Sequence, residues 1–125
     1  MNIAIVGATG NVGRKILEVL ERKELAIDNL YLLASSRSAG SKIIFKGKEH
    51  KVINLETFDF SKVKITFFAA GGKISENFAG VAAKHSLVID NSSFYRMDPD
   101  VPLIVPQVNS DHLHNIKKNI IANPN

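Results

Sequence analysis

The chain has 125 residues, 45% of them apolar and 22% charged, which is the size and composition of one globular domain. Its formal net charge of +4 is carried by scattered lysines without interleaved aromatic residues, so we expect no nucleic-acid partner. No apolar run approaches the roughly 20 residues of a membrane span, and the first residues lack the pattern of a signal peptide. We therefore expect no membrane association and a cytoplasmic location.

Hydrophobic periodicity predicts alternating strands and helices along the chain. In the first half of the chain it predicts a strand at Ile3–Val6, a helix from Asn11 to about Lys23, a strand at Leu30–Ser35 and a hairpin over residues 41–55 that turns at Gly47. A strand at Lys64–Ala70, a helix that begins near Ile74 and a strand at residues 86–91 follow. The remainder is predicted as a long polar loop over residues 92–102, a short strand at Leu103–Val105, a helix from Asn109 to about Ile116 and a last strand at residues 119–123. Thr9 or Asn11 is the predicted cap of the first helix, and Ser75 is the predicted cap of the second.

This alternation predicts an α/β fold of the Rossmann-like type, with a mostly parallel sheet and helices on both faces. Ligands of such sheets bind at the carboxyl ends of the strands. The loops at those ends span residues 7–13, 35–38, 70–72 and 91–93, and all four are rich in glycine or polar residues. We therefore expect one binding edge.

The first of these loops has the pattern Gly-x-x-Gly-x-x-Gly, formed by Gly7, Gly10 and Gly13 between the first strand and the first helix. Glycines let a backbone turn sharply and approach a pyrophosphate, whose oxygens then accept from the N–H groups of the helix N-terminus. The dinucleotide fingerprint Gly-x-Gly-x-x-Gly has a glycine where this chain has Ala8. The pattern favours a dinucleotide site, and a purely structural turn is the alternative.

The loop after the second strand, Ser35–Ser38, contains Arg37 and no acidic residue. An enzyme that uses NAD usually places a carboxylate here, on the ribose 2′-hydroxyl. Arginine flanked by serines instead suits the 2′-phosphate of NADP. This favours NADP, and the alternative is a surface arginine in a polar loop.

Arg96 follows the strand at residues 86–91 and is the candidate clamp for a carboxylate or a phosphate. The alternative is a surface ion pair with Asp98 or Asp100. Neither reading is favoured by these residues alone.

Metal and thiol chemistry are not expected. The chain contains no cysteine, which excludes disulfides and a thiol nucleophile within these 125 residues. His112 and His114, beside Asp111, stand two positions apart and point to different faces of a helix, so we expect no metal site.

Over essentially all 125 residues, the chain resembles the N-terminal part of the aspartate-semialdehyde dehydrogenase family. The segments that carry the resemblance, in the family's order, are "VGATGNVG", "LASSRSAG", "DNSSFYRMDPDVPLIVPQVN" and "IIANPN". The resemblance implies an NADPH-dependent reduction of 4-phospho-L-aspartate to L-aspartate 4-semialdehyde, with release of phosphate. This reaction serves the synthesis of lysine, threonine, methionine and isoleucine, and the full-length enzyme is expected to be a homodimer.

The resemblance also implies roles for individual residues. The implied cofactor-binding residues are Gly7, Thr9, Gly10, Asn11, Val12, Gly13, Ser35, Arg37, Ser38, Ala70 and Gly71. Arg96 would bind the phosphate of the substrate, and Asn125 would help to place the substrate. In the family the nucleophilic cysteine follows directly after Asn125, and a substrate and dimerisation domain comes next. We therefore expect the chain to be an NADP-binding domain that does not catalyse alone, with Ile120 and Ile121 partly exposed.

Three other functions use related sequence patterns. A short-chain dehydrogenase needs Tyr-x-x-x-Lys, and neither Tyr31 nor Tyr95 is followed by that lysine. An enzyme like N-acetyl-glutamyl-phosphate reductase, which uses the same acyl-phosphate chemistry, remains an alternative. So does a non-catalytic module that binds NADP.

Overall fold

The computed structural model describes residues 1–103 and 118–123. In chain order its elements are β1 (Asn2–Val6), α1 (Asn11–Arg22), β2 (Asn29–Ala34), β3 (Lys42–Phe45), β4 (Lys48–Lys51), β5 (Ile53–Asn54), β6 (Ile65–Phe68), α2 (Gly72–Ala83), β7 (Leu87–Asp90) and β8 (Ile120–Ala122), with 3-10 turns at Leu55–Thr57 and Phe60–Lys62. The predicted helix over 109–116 and part of the predicted strand Leu103–Val105 lie outside the described residues. Leu103 itself forms a parallel bridge with Ala122.

Six strands form one parallel sheet in the order β5-β2-β1-β6-β7-β8. The central strand β1 is buried on both faces because alternate side chains point in opposite directions. Ile3 and Ile5 pack in a cluster with Leu17 and Leu20 of α1. Ala4 and Val6 pack in a second cluster with α2. The α/β prediction, with a parallel sheet and helices on both faces, is confirmed.

The hairpin is shorter than predicted. β3 and β4 pair antiparallel, and Lys46 and Gly47 at the turn both have positive φ, 50° and 76°. The prediction that Ile53 and Asn54 extend the hairpin is wrong, since they form β5 and pair parallel with β2. Val52, between β4 and β5, is buried, and its N–H donates to the Ser41 carbonyl at 2.7 Å.

Both predicted helix caps are wrong. The residue before α1 is Gly10 and the residue before α2 is Gly71, and neither provides a side-chain cap. Thr9 and Asn11 do not cap α1, and Ser75 lies one turn inside α2, where it is buried. A glycine at each N-terminus leaves backbone N–H groups open where a serine or aspartate would have covered them.

The last described strand, β8, is buried. Ile120 and Ile121 are only 2% and 5% exposed, so the expectation that they are partly exposed is wrong. β7 covers one edge of β8, through the pairs Val88↔Ile120, Ile89↔Ile121 and Asp90↔Ala122. Asn119, with φ of 60°, precedes the strand and donates from its amide nitrogen to the carbonyls of Ala83 and Ser86. The strand start is thereby joined to the end of α2.

Candidate functional site

A groove of about 390 Å³ lies at the carboxyl edge of the sheet, where β1, β2 and β6 end. This is the edge and the size range expected for a small-molecule site in a parallel sheet. The residues that line it are Val6, Gly7, Thr9, Gly10, Ala34, Ser35, Ser38, Leu55, Ala69, Ala70 and Ile74. Six predicted cofactor-binding residues are among them, namely Gly7, Thr9, Gly10, Ser35, Ser38 and Ala70.

The three glycines of the first loop differ in whether the fold leaves room for a side chain. Gly7 has φ of +87°, and a Cβ there would stand 2.7 Å from the Ala69 carbonyl oxygen. A Cβ on Gly13 would stand 2.1 Å from the Gly7 oxygen, because α1 packs directly on the loop. Gly10 is different: its Cβ would meet only the Gly7 oxygen at 3.6 Å, an ordinary contact. The fold itself therefore requires Gly7 and Gly13, whereas Gly10 leaves open space beside the groove.

The N-terminus of α1 is open toward an anion. The Gly10 N–H donates to Gly7, and the first bond into the helix is from Arg14 N to the Gly10 oxygen at 3.0 Å. Within the described part of the chain, the N–H groups of Asn11 and Val12 have no acceptor, and both residues are exposed. The helix dipole adds positive potential at this end. These are the features of a backbone phosphate site.

The Arg14 side chain stabilises the same loop, since its Nε donates to the Thr9 carbonyl at 3.2 Å. This contact was not predictable from the sequence, because an arginine on the polar face of a helix gives no signal of a loop partner five residues earlier.

The loop after β2 presents its arginine to solvent. Ser38 and Ala39 donate their N–H groups to the Ser35 carbonyl and close a tight turn. Arg37 is exposed, and among the residues described it forms no ion pair. It stands beside the groove's Ser35 and Ser38 without lining the groove itself. Its guanidinium is thus available to a ligand at this edge.

Arg96 is half-buried and joins two segments of backbone. Its Nε donates to the Asn123 carbonyl at 2.9 Å, and an Nη donates to the Asn91 carbonyl at 3.1 Å. The other terminal nitrogen, Nη1, has no partner among the described residues. The guanidinium therefore combines a structural role with one donor group open to a ligand.

The alternative ion pair from Arg96 to Asp98 is not formed. Asp98 instead accepts from Lys118 Nζ at 2.7 Å, a bond that holds the pKa of Asp98 below its ordinary value and raises the pKa of Lys118. Next to Arg96, burial raises the pKa of the Tyr95 hydroxyl, so this group stays neutral at physiological pH.

A buried polar network around Asp90 was not among the sequence predictions. Asp90 is fully buried at the end of β7, and its carboxylate accepts hydrogen bonds from Ser75 of α2 and from Ser92. The signal was present in the sequence, where a carboxylate ends the apolar run "LVID". An acid at the end of a buried strand is costly without donors, and it therefore marks a site with a specific hydrogen-bond requirement.

The remaining predicted residues are Gly71, which the structure describes, and four residues that lie outside its described part. Gly71 stands at the start of α2 with φ of +92°, next to the groove residue Ala70. Asn125 lies outside the described residues, as do Asp111, His112 and His114.

Over residues 1–103 and 118–123 no three His, Asp or Glu side chains are placed to hold a metal ion. In that same part of the chain, neither helix is long and apolar enough to cross a bilayer.

The family model and two curated relatives that match this chain are all semialdehyde dehydrogenases. Residues 2–116 match the family model described as "Semialdehyde dehydrogenase, NAD binding domain". The chain is 50% identical to aspartate-semialdehyde dehydrogenase 2 of Vibrio cholerae serotype O1 over 126 residues, which cover 99% of the chain and 37% of that protein. It is 52% identical to aspartate-semialdehyde dehydrogenase of Aquifex aeolicus over 127 residues, which cover 98% of the chain and 37% of that protein.

A solved structure of the same enzyme family has the same fold as this chain. The crystal structure of aspartate semialdehyde dehydrogenase II from Vibrio cholerae, complexed with ASA, superposes with a TM-score of 0.95 at 50% identity. The alignment covers 99% of this chain and 41% of that one. The chain thus spans a little over a third of the length of the curated relatives it matches.

Proposed function

Since the chain belongs to the family of semialdehyde dehydrogenase NAD-binding domains, we propose that it is the NADP-binding domain of an aspartate-semialdehyde dehydrogenase. That enzyme reduces 4-phospho-L-aspartate to L-aspartate 4-semialdehyde and releases phosphate. The observation that carries the cofactor part is the uncapped N-terminus of α1, whose free N–H groups directly follow Gly10, a residue that lines the groove. The relatives' names, at 50% identity over 99% of the chain, support the substrate.

The cofactor would lie along the carboxyl edge of the sheet. Residues 9–13 would bind the pyrophosphate through backbone N–H groups, with Gly7 and Gly13 keeping the loop against β1. Ser35, Arg37 and Ser38 would bind the 2′-phosphate. Ala70 and Gly71 would lie along the nicotinamide half, since they follow β6, which is next to β1. NADPH would supply the hydride.

The acyl-transfer groups of the reaction are not among these 125 residues, because the sequence contains no cysteine. A cysteine thiolate elsewhere in the enzyme would attack the acyl carbon and displace phosphate, and hydride addition to the resulting thioester would give the aldehyde. Arg96 would bind the phosphate through its remaining donors, and Asn125 would help to place the substrate. The chain alone would bind NADP without turnover. A homodimeric, cytoplasmic enzyme is part of the same proposal.

An assay of the full-length protein tests the function. We expect phosphate-dependent reduction of NADP when aspartate semialdehyde is supplied, followed as absorbance of NADPH. Oxidation of N-acetylglutamate semialdehyde in preference would instead identify the reductase of that acyl phosphate. NADP binding without oxidation of either aldehyde would identify a non-catalytic module. Either of these two results would contradict the proposal.

Arg37→Ala is expected to weaken NADPH binding by about 10- to 150-fold, because a hydrogen bond to a charged group contributes about 1.5–3 kcal/mol. NADH, which has no 2′-phosphate, should bind the variant and the parent alike. The measurement is a fluorescence titration of both cofactors. Arg22→Ala is a matched control, since Arg22 is also exposed but stands in the last turn of α1, away from the groove. Equal losses for NADPH and NADH would show that Arg37 does not contact the 2′-phosphate.

A further inference from the structure

The fully buried carboxylate of Asp90 has an environment that stability alone does not explain. Its Oδ1 accepts from Ser75 Oγ at 2.7 Å and from Ser92 N at 2.9 Å, and its Oδ2 accepts from Ser92 Oγ at 2.9 Å. None of these donors carries a charge. A buried carboxylate is costly even when it is hydrogen-bonded, and a well-packed apolar side chain usually stabilises a core at least as well. The presence of an acid at position 90 is therefore better explained by the positions in which its hydrogen bonds hold Ser75 and Ser92.

Asp90 connects two sides of the proposed site. Through Ser75 it holds the first turns of α2, the helix that begins directly after Ala70 and Gly71 at the groove. On the other side, its backbone carbonyl accepts from Asn123 N at 2.9 Å.

The same chain segment is fixed from a second direction. Arg96 donates to the Asn123 carbonyl at 2.9 Å, and Ser92, which Asp90 binds, begins the loop that carries Arg96. Asn123 is thus held at both its N–H and its carbonyl, two residues before Asn125. Asp90 is the residue that contacts α2, this loop and the end of β8 together.

We propose that Asp90, through Ser75, is a positioning residue that sets the spacing between the nicotinamide-side loop, Ala70 and Gly71, and Asn123 at the end of β8. The inference rests on the function proposed above. Hydride transfer needs its reacting atoms within about 3–3.5 Å, and a misplacement of about 1 Å costs about a hundredfold in rate. The Asp90 carboxylate fixes Ser75 of α2 and Ser92 of the loop that carries Arg96, while the Asp90 backbone carbonyl fixes Asn123, and these bonds together restrict that spacing.

The chain offers a matched control for the Ser75 contact. Ser86 is also a buried serine with two hydrogen bonds, to Thr66 Oγ1 at 2.8 Å and to the Ala82 carbonyl at 2.9 Å. It stands just before β7, at the opposite end of that strand from Asp90. Ser75→Ala and Ser86→Ala each remove one buried hydroxyl, so a purely structural role predicts similar effects for both.

The test compares these two variants in the full-length enzyme. We expect Ser75→Ala to lower kcat about tenfold, while the Kd for NADPH stays within about twofold because the α1 loop and Arg37 are untouched. Ser86→Ala should lower the melting temperature by a similar amount and leave kcat within about twofold of the parent. Asp90→Asn, which keeps the side-chain shape and loses one acceptor, should also lower kcat, and it replaces Ser75→Ala if that variant does not fold.

Two results would overturn the inference while leaving the proposed function intact. One is a Ser75→Ala enzyme with the kcat of Ser86→Ala. The other is a loss of NADPH affinity as large as the loss of kcat, which would assign Ser75 to cofactor binding. A parent enzyme that does not oxidise aspartate semialdehyde overturns the proposed function itself, and with it the inference.

Discussion

Replacing Gly13 with alanine is expected to lower the free energy of unfolding by about 3 kcal/mol, at the upper end for inserting a methyl group into a packed interior. The added Cβ would stand 2.1 Å from the Gly7 carbonyl oxygen and 2.8 Å from the Ala8 Cα. Both neighbours are backbone atoms of the loop that follows β1, so neither can rotate away as a side chain would. Relief requires α1 to move off the sheet. Urea denaturation followed by circular dichroism measures the loss.

Two other glycines provide the comparison. Gly80 lies inside α2 with nothing within 4 Å of an added Cβ, so Gly80→Ala should stabilise by about 0.5–1 kcal/mol. Gly10→Ala makes only an ordinary contact and should cost much less stability than Gly13→Ala while weakening NADPH binding, since Gly10 lines the groove. A Gly13→Ala protein as stable as Gly80→Ala would contradict the close packing of helix on loop.

Replacing Arg96 with lysine is expected to lower kcat/KM of the full-length enzyme by about a hundredfold. Arg96 uses two nitrogens on the carbonyls of Asn91 and Asn123 and keeps the third, Nη1, for an anion. The single ammonium of lysine keeps the charge and loses this geometry. Loss of even one charge-assisted hydrogen bond costs about 1.5–3 kcal/mol, which corresponds to about 10- to 150-fold. Steady-state kinetics in the phosphate-dependent direction measure the effect, with the KM for phosphate rising and that for NADP unchanged.

Lys118→Gln is the control for this result. Its ion pair with Asp98 connects the same loop to the chain just before β8, but both partners are partly exposed and Lys118 is not assigned to the binding site. Exposed ion pairs contribute little, so we expect activity within about twofold of the parent. If Lys118→Gln lost as much activity as Arg96→Lys, the effect would arise from the loop as a whole. Full activity in Arg96→Lys would remove Arg96 from the proposed phosphate site.

The parts of the fold that follow from short-range patterns were predictable from the sequence. The apolar run Ile3–Val6 and the glycines after it indicated a buried strand, a turn and a helix, and these determine the groove. The helix caps were wrong for a physical reason. Polar residues such as Asn11 and Ser75 are preferred caps when a helix end is otherwise unsatisfied. Here the residue before each helix is a glycine, Gly10 or Gly71, and Ser75 instead binds Asp90.

The contacts that were missed join residues far apart in the sequence. Ser75 and Asp90 are 15 residues apart, and Arg96 and Asn123 are 27 residues apart. Local periodicity contains no information on such pairs, because they meet only after β6, β7 and β8 are aligned. The resemblance correctly indicated the family, but it assigned Arg96 to a ligand alone, whereas two of its nitrogens bind backbone carbonyls.

The short length of β8 has a consequence for ligand affinity. Three residues, Ile120–Ala122, attach the segment through Asn123 to the sheet, and β7 is only four residues long. Local openings within a domain cost free energies that range up to that of global unfolding. A molecule in which β8 has separated from β7 no longer holds Asn123 against Asp90 and Arg96. A ligand that needs both sides of the site binds the closed form alone, so its apparent dissociation constant increases in inverse proportion to the closed fraction.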